Sequence, residues 1–413
     1  MHNITAFLIF YEYKMQKVTE RSISLESAES IIDSYFKDKA FSVNIDIYGN
    51  TLSSTVATIA SNNKEEPCVG CGKGYEHEAR VGAKFEAYEH YQGLSSLREH
   101  RMLAPFSLVI EQTSLNSFFP LSILKKSSPT NISVIPFDHP FKKEDNKLLY
   151  PSFLIDYNHI KNRLTGDDVD YSAVRRYSCG TGIAAGVGYI EAAIHAVSEV
   201  IERHCVGRFL AKTFFYEIQS VLPRINPETM PLDLQQVLHD AEQQLNAEIQ
   251  VIDISCNNLP TVIIACCKER NISGVHVFGA GCSIYSSHAA IRAIKELVQQ
   301  YCVAQGVKIV KQEWLKHFNH LKKYPKLLRC LIADISNKEI SVKDLDKNLD
   351  TISLDNHLSM LINNCQEQGL PVWVKEIHKD KTGVSIVCAV MPKMERFSII
   401  SLGNYVIPTN NYK

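Results

Sequence analysis

Three glutamates lie on one stripe of a predicted helix near the middle of this 413-residue chain. At about 100° per residue, a wedge of about 80° holds four side chains: Glu191, His195, Glu199 and Glu202. Carboxylates at this spacing repel one another at neutral pH unless a cation lies among them. The stripe is therefore either a solvated acidic face or part of a site that binds cations.

Two other stretches, residues 70–91 and 279–301, repeat the pattern of the central stretch, residues 177–205, without gaps. The shared positions are, in order, Ala79, Ala192 and Ala289; Ala83, Ala196 and Ala293; Glu86, Glu199 and Glu296; and Glu89, Glu202 and Gln299. The alanines allow each helix to pack closely on a sheet, and the glutamates project from one edge. This threefold internal repeat predicts three acidic edges that converge on one site for a polyanion held through divalent metal ions.

Glycines precede each of the three predicted helices. They are Gly72 and Gly74 in the first copy, Gly180, Gly182, Gly186 and Gly188 in the second, and Gly279 and Gly281 in the third. Runs this rich in glycine do not favour a regular element, so they predict loops in which the backbone closely approaches another group. Lys73, between two of these glycines, is a candidate for binding phosphate; the alternative is an ordinary lysine in a turn.

Strand-like and helix-like patterns interleave along the chain, and no flexible linker divides it. Residues 22–36 predict a capped amphipathic helix, residues 41–48 an alternating strand, and residues 380–383 the turn of a late hairpin. We therefore expect an α/β or α+β fold in a single domain, residues 1–413, with each glycine-rich loop and glutamate-bearing helix packed on β-sheet. Its expected parts are an N-terminal helix and strand region (17–66), the three repeats (67–310) and a C-terminal region with the hairpin (311–413).

Composition excludes several classes of protein. Lys and Arg number 44 against 45 Asp and Glu, so the net charge of −1 gives no overall basic field for nucleic acid. No apolar run approaches the roughly 20 residues of a membrane-spanning helix, and the N-terminus predicts a first strand rather than a secretory signal. Twelve cysteines without regular spacing favour reduced thiols and a cytoplasmic protein. For the CxxC pair Cys68 and Cys71, metal or redox chemistry is an alternative to a structural role.

The three copies resemble the signature blocks of the YcaO family of ATP-dependent, peptide-modifying enzymes. GTGIAAG, EAA and SEVIER in the central copy carry the resemblance, with GKG…EAR…FEAYEHY upstream and GAG…HAAIRAIKE downstream. HKDKTGVSIVCAVMPKM resembles the family's late hairpin more loosely, so the likeness extends over residues 17–395. The resemblance implies that carboxylates bind Mg-ATP in place of a P-loop, and no GxxxxGK(S/T) sequence occurs in the chain.

The resemblance also implies roles for individual residues. The glutamates that match the family's metal and nucleotide carboxylates are Glu86, Glu89, Glu199 and Glu202. The residues expected to contact ATP are Lys17, Ser24, Glu191, Arg203 and Arg292, with Lys73 as a further candidate. Magnesium ions held by the carboxylates would hold the phosphates, and in-line transfer then needs mainly positioning and charge neutralisation.

The implied activity is ATP-dependent phosphorylation of a peptide's backbone amide oxygen after a nucleophile has added to that amide. A neighbouring Cys, Ser or Thr then gives an azoline, as in cyclodehydratases that mature bacteriocin-like peptides, whereas external sulfide gives a thioamide. A third alternative is a non-catalytic, nucleotide-binding subunit of a modification complex. The family further implies a precursor peptide, a separate leader-binding protein (E1-like for azolines, TfuA-like for thioamides) and a homodimer.

Several features depart from the family's pattern. Ala184 and Val187 replace a Ser and an Asn that make polar contacts in relatives, and His90 replaces an Arg. The final GNYVIPTNNYK lacks the spaced prolines that help to build the catalytic site in many azoline-forming members. The carboxylates favour catalysis, Val187 and the absent prolines favour the non-catalytic alternative, and the absent prolines also give weight to thioamide formation.

Overall fold

The computed structural model describes residues 20–61, 66–112, 114–116, 118–141, 147–256, 258–269, 271–272, 274–306, 308–347, 349–410 and 412. The helices in these ranges are α1 (Leu25–Asp38), α2 (Glu76–Glu99), α3 (Phe106–Glu111), α4 (Phe119–Leu124), α5 (Tyr189–Leu210), α6 (Leu232–Leu245), α7 (Ser286–Gly306), α8 (Lys308–Leu321), α9 (Pro325–Ile332) and α10 (Leu354–Glu367). The strands are β1 (Ser42–Tyr48), β2 (Ser53–Ala60), β3 (Cys68–Gly74), β4 (Met102–Pro105), β5 (Asn131–Phe137), β6 (Leu148–Pro151), β7 (Ile183–Val187), β8 (Leu222–Ile225), β9 (Ile249–Asp253), β10 (Thr261–Cys267), β11 (Phe278–Ser283), β12 (Ile340–Lys343), β13 (Trp373–Lys379) and β14 (Val384–Val390).

The described strands form four sheets. Their orders are β1-β2-β3, β4-β5-β6, β11-β10-β9-β8-β12 and β13-β14-β7. The pairings are antiparallel except that of β12 with β8. Antiparallel sheets with packed helices are typical of α+β proteins, which confirms the expected fold class. The expected late hairpin is β13 and β14, with Gly383 at a φ of +93° in its turn.

In each of the three copies, a helix packs directly on a glycine-bearing strand: α2 on β3, α5 on β7 and α7 on β11. A β-carbon on Gly72 would collide with the Ala79 carbonyl of α2, and one on Gly281 would collide with the Ala289 carbonyl of α7. A β-carbon on Gly186 would lie 2.7 Å from the backbone of α5. Glycine on the strand therefore lets the helix backbone approach closely, and alanine on the helix preserves that approach.

The prediction that these glycines lie in loops was wrong. Gly72 lies in β3, Gly186 in β7 and Gly281 in β11, because the missing side chain serves helix–strand packing rather than an irregular backbone. Positive φ values occur at Gly182 (+91°) and Gly188 (+89°), which flank β7, and at Gly74 (+129°), which ends β3. Composition alone did not separate these two uses of glycine.

The central helix α5 runs through the larger hydrophobic core. Its predicted apolar residues, Ile194, Val197, Val200 and Ile201, are each at most 1% exposed. α5 packs against β14, β7, α10 and the short 3-10 turn Phe397–Leu402. Burial of so much of its circumference fixes the direction in which the acidic stripe of the same helix points.

α1 is the first helix of the described part of the chain. Ser24 is its N-cap and accepts a hydrogen bond from the Ser27 amide, as the predicted capped helix requires. The expected first strand before it lies outside the described residues, and the division of the chain at residues 66 and 310 stays a prediction. In the part of the chain that the structure describes, every helix is too short or too polar to cross a bilayer.

We expect Gly72→Ala to lower the free energy of unfolding by about 2 kcal/mol or more, because the added methyl group must push α2 away from β3. Gly82→Ala is the matched control on the other side of this contact, since a β-carbon there meets nothing closer than the Gly72 Cα at 3.7 Å. Alanine at position 82 should be neutral or stabilise α2 by up to about 1 kcal/mol. Urea unfolding measures both variants; equal stabilities would contradict the packing role of Gly72.

Candidate functional site

A cavity of about 2800 Å³ lies among α2, α5 and α7. Its walls include every predicted site residue that the structure describes: Ser24, Lys73, Glu86, Glu89, Glu191, Glu199, Glu202, Arg203 and Arg292. Lys17 lies outside the described residues. The acidic edges of the three helices therefore face one cavity, and the roles of the individual residues in it stay predictions.

Two backbone amides, one just before β7 and one in the middle of it, orient two of the carboxylates. The Gly182 amide donates to Glu199 at 3.0 Å, and the Ala185 amide donates to Glu89 at 2.9 Å. Glu199 belongs to α5 and Glu89 to α2. One strand thus holds together carboxylates from two copies of the repeat, and each acquires a fixed direction into the cavity.

Burial raises the pKa of the four predicted metal carboxylates, Glu86, Glu89, Glu199 and Glu202. The negative charges of Glu86 and Glu199 raise the pKa of Glu89 further, and its single backbone donor offsets little of this. Arg203 counteracts the rise at Glu199 and Glu202 without abolishing it. The cluster therefore contains more negative charge than its own cations neutralise, which favours the entry of a divalent cation.

Glu296 on α7 belongs to this cluster, although it was not among the predicted site residues. It forms an ion pair with Lys73 of β3. Burial opposes its ionisation, but the positive charges of Lys73 and Arg203 outweigh burial and lower its pKa. The repeat itself carries the signal for Glu296, which occupies the frame position of Glu86 and Glu199.

Two arginines supply positive charge beside the carboxylates. Arg203 lies 3.8 Å from both Glu199 and Glu202; burial would lower the pKa of its guanidinium, but these neighbours raise it. Arg292 on α7 has a buried Nε without a hydrogen-bond partner among the described residues. An unpaired buried donor is costly, so Arg292 is suited to an anion that enters the cavity.

Two predicted nucleotide contacts are already used within the protein. The Ser24 hydroxyl caps α1 while lining the cavity. Glu191 accepts hydrogen bonds from Arg21 at 2.9 Å, from the Ser22 amide at 2.9 Å and from the Ser22 hydroxyl at 2.7 Å. Glu191 therefore fixes the segment before α1 against the first turn of α5, a role that its sequence position did not suggest.

A buried cluster of one acid and several histidines lies beside the first turn of α7 and was not expected. Glu20 is fully buried, accepts a hydrogen bond from Ser283, and lies 3.4 Å from His288 Nε2 and 3.7 Å from His357 Nε2. Burial would raise its pKa, but the charges of His288 and Arg292 bring it well below its usual range. The sequence gives no signal for this cluster, because Ser283 lies 263 positions from Glu20.

The departures from the family pattern have different positions in the structure. Ala184 and His90 line the cavity. Val187 does not line it; this residue ends β7, and its carbonyl accepts a hydrogen bond from the Ser22 hydroxyl. Whether Val187 removes a polar contact with a bound nucleotide or metal stays a prediction.

The donor set fits Mg²⁺ bound together with phosphate. Among the described residues, no three side chains of His, Cys, Asp or Glu already have the geometry of a closed metal site. Mg²⁺ usually keeps several waters and binds through one or two carboxylates plus phosphate oxygens, so a closed protein cage is not required. Cys71 is a poor ligand, since burial and the Glu86 charge raise the pKa of its thiol to about 11.

The chain matches the model of the YcaO family, described as YcaO cyclodehydratase, ATP- and Mg²⁺-binding, over residues 71–395. Among curated proteins, it is 22% identical over 337 residues to a probable polyketide synthase 22 of Dictyostelium discoideum. That match covers 80% of this chain, which spans only 12% of the length of the relative.

Several solved structures share the fold. The structure of YcaO from Methanopyrus kandleri bound with AMPPCP and Mg²⁺ has a TM-score of 0.64 at 17% identity, covering 94% of this chain and 96% of that one. A heterocyclase in complex with substrate and cofactor has a TM-score of 0.64 at 15% identity, and the match covers 91% of this chain and 53% of the heterocyclase chain. A chain of the E. coli microcin synthetase McbBCD complex with pro-MccB17 bound has a TM-score of 0.55 at 15% identity. This match covers 86% of our chain and 88% of that chain.

The raised carboxylate pKa values predict that the metal-free protein loses stability as the pH rises. These groups keep their protons to a higher pH in the folded state than in the unfolded chain. Their contribution to the free energy of unfolding is therefore full below about pH 4.3 and is lost as the pH rises through the folded pKa values. In EDTA, Glu89→Gln should remove much of this decrease, as measured by urea unfolding between about pH 5 and pH 8.

Glu29→Gln is the matched control for this pH dependence. Hydrogen bonds and charge from Arg80 and Lys84 lower the pKa of Glu29 to about 2. Its contribution is present above the unfolded pKa and is lost only as the pH falls toward about 2, so Glu29→Gln should destabilise the protein throughout the range from about pH 5 to pH 8 and should not remove the decrease. A wild-type decrease that Glu89→Gln leaves intact would show that the cluster is not its source.

Proposed function

The chain belongs to the YcaO family, and we propose that it uses Mg-ATP to phosphorylate a backbone amide oxygen of a peptide. ATP and Mg²⁺, the cofactors expected from the sequence, are named in the description of the family. The observation that carries the proposal is the cavity in which carboxylates of α2, α5 and α7 meet two arginines. A site of this composition can bind a metal–phosphate complex without a P-loop.

In this proposal, the carboxylates of the cavity would bind Mg²⁺ and its cationic side chains would bind phosphate. Those that would hold Mg²⁺ are Glu86, Glu89, Glu199 and Glu202. When bound, ATP supplies the phosphoryl group and Mg²⁺ neutralises phosphate charge. Arg203 and Arg292 would bind phosphate oxygens, which would give the buried Arg292 Nε a hydrogen-bond partner. Lys73, held in the cavity by Glu296, provides a further cation for the same phosphates.

We propose an azoline as the product. The thiol or hydroxyl of a Cys, Ser or Thr in the peptide adds to the preceding amide carbon, and phosphoryl transfer makes the amide oxygen a leaving group. Loss of phosphate and of the amide proton then closes the C=N bond of the ring. The neighbouring structures described as a heterocyclase and a microcin synthetase support this chemistry as the first candidate.

A precursor peptide and a separate partner protein are part of the proposal. The microcin synthetase neighbour is a complex with pro-MccB17 bound, which supports a peptide substrate and a multi-subunit assembly for this chain as well. A leader-binding partner of the E1-like or TfuA-like class, a homodimer and a cytoplasmic location stay predictions from the sequence.

Calorimetric titration with Mg-ATP tests the site. We expect binding by the wild type and at least about tenfold weaker binding by Glu202→Gln, which keeps the shape of the side chain and removes the charge of a metal ligand. Glu228→Gln, an exposed change outside the cavity, should bind like the wild type. Chelation with EDTA should weaken wild-type binding. Equal affinities of wild type and Glu202→Gln would contradict the assignment of the site.

Mass spectrometry of a precursor peptide, incubated with the protein, its partner and Mg-ATP, tests the reaction. Azoline formation removes one water for each modified residue. Replacement of oxygen by sulfur, dependent on added sulfide, would instead identify a thioamide synthetase. Binding of Mg-ATP without ATP consumption or any change in peptide mass would support the non-catalytic alternative.

A further inference from the structure

The cavity extends to both sides of the carboxylate cluster along α2, α5 and α7. Glu86, Glu199 and Glu296 mark the middle, and the lining residues on either side of them differ in character. Side chains three or four residues apart share a helix face and follow one another by about 5 Å along the axis. On each of these helices, the residues before the cluster and those after it therefore lie on opposite sides of the cluster.

The end before the cluster is rich in ionisable groups. We call it the polar end and define it by Arg21, Glu191, His195, His288 and Arg292, which all line the cavity. The Arg21–Glu191 ion pair at 2.9 Å lies beside the first turn of α5. A nucleotide would find cationic partners for its phosphates here.

The end beyond the cluster is apolar. We define this apolar end by Leu94, Val206, Phe278, Leu331, Ile399 and Leu402. The segments that carry these residues pack against the second half of α5. The Phe278 ring lies 6.4 Å from the ring of Phe209 on α5. The thiol of Cys330, the residue before Leu331, lies 4.0 Å from the Leu210 carbonyl oxygen on α5. A β-carbon on Gly207 would lie 3.2 Å from the Ser398 nitrogen, so the turn that carries Ile399 packs against the same helix.

The six residues that define the apolar end have no charged side chain, and Ser398 and Ser401, beside Ile399 and Leu402, also line the cavity. Arg203, three positions before Val206 on α5, already lies 3.8 Å from Glu199 and from Glu202. His276, which also lines the cavity, faces Asp334 at 3.6 Å. Placing a charged phosphate there would cost desolvation without a compensating ion pair. An uncharged ligand with apolar side chains fits this surface instead.

From this division, we propose that the apolar end binds the acceptor peptide and selects an apolar side chain next to the residue that is modified. This inference rests on the proposed function, since the polar end is left to the nucleotide. The reacting amide would then lie at the carboxylate cluster, between the two ends. An apolar side chain that fills the apolar end also displaces water from beside that amide, which protects an activated intermediate from hydrolysis.

Two synthetic peptides test the preference directly. One is a capped pentapeptide amide with leucine on both sides of a central cysteine, and its partner has aspartate at those two positions. Calorimetric titrations are made with and without a non-hydrolysable ATP analogue and Mg²⁺. We expect the wild type to bind the leucine peptide at least about tenfold more tightly, the discrimination that burial of an apolar side chain provides.

Variants of exposed positions test where the preference originates. Leu402 is 57% exposed and Leu94 is partly exposed, so Leu402→Ser and Leu94→Ser should fold normally. Each should reduce the preference for the leucine peptide by about threefold or more and leave binding of the ATP analogue unchanged. Leu108→Ser is the matched control, because Leu108 is 49% exposed and lies outside the cavity. It should keep the full preference.

The outcomes separate the two proposals. A wild type that binds neither peptide, or both equally, would overturn the acceptor subsite, as would Leu402→Ser and Leu94→Ser proteins that keep the preference. Failure of the wild type to bind the Mg²⁺ complex of the ATP analogue would count against the proposed function. A leucine preference lost in both cavity variants and kept in Leu108→Ser would support the subsite.

Discussion

Electrostatic repulsion among carboxylates that are buried together is the main physical constraint on this cavity. Glu89 has its pKa raised by burial and by two neighbouring acids, while a single backbone amide partly compensates it. Arg203 and the Lys73–Glu296 ion pair neutralise part of the charge and leave the remainder for a metal ion. Burying these like charges together costs stability unless a cation neutralises them.

The packing of helix on strand provides the rigidity that this repulsion requires. Gly72, Gly186 and Gly281 allow α2, α5 and α7 to lie on their strands at backbone contact distance. Because each helix is held so closely, its glutamates cannot move apart to relieve their repulsion without breaking the contact. Fold and site are thus linked at the same three glycine-bearing strands, and a change at Gly72 would disturb both.

A two-ended cavity, as we propose it, would allow one site to accept two unlike molecules. Arg292 and His288 precede Glu296 on α7 and line the cavity at the end where phosphate charge can be neutralised. Val206 and Leu402 lie beyond the carboxylate cluster, among the apolar side chains of the cavity wall. The carboxylates between the two ends would hold a cation at the position where the two molecules meet. In this proposal, the same three helices would separate the reactants and bring their reacting groups together.

The sequence by itself determined the fold class, the family and the acidic positions of the cavity wall. Glu86, Glu89, Glu199 and Glu202 followed from helical periodicity and from the repeat frame, which are local properties of the chain. The glycines were recognised as special, but their place in strands was not, because helix–strand distance is not a local property. Tertiary structure alone decided that Lys73 pairs with Glu296 and that Glu20 lies among histidines, since these partners are hundreds of residues apart.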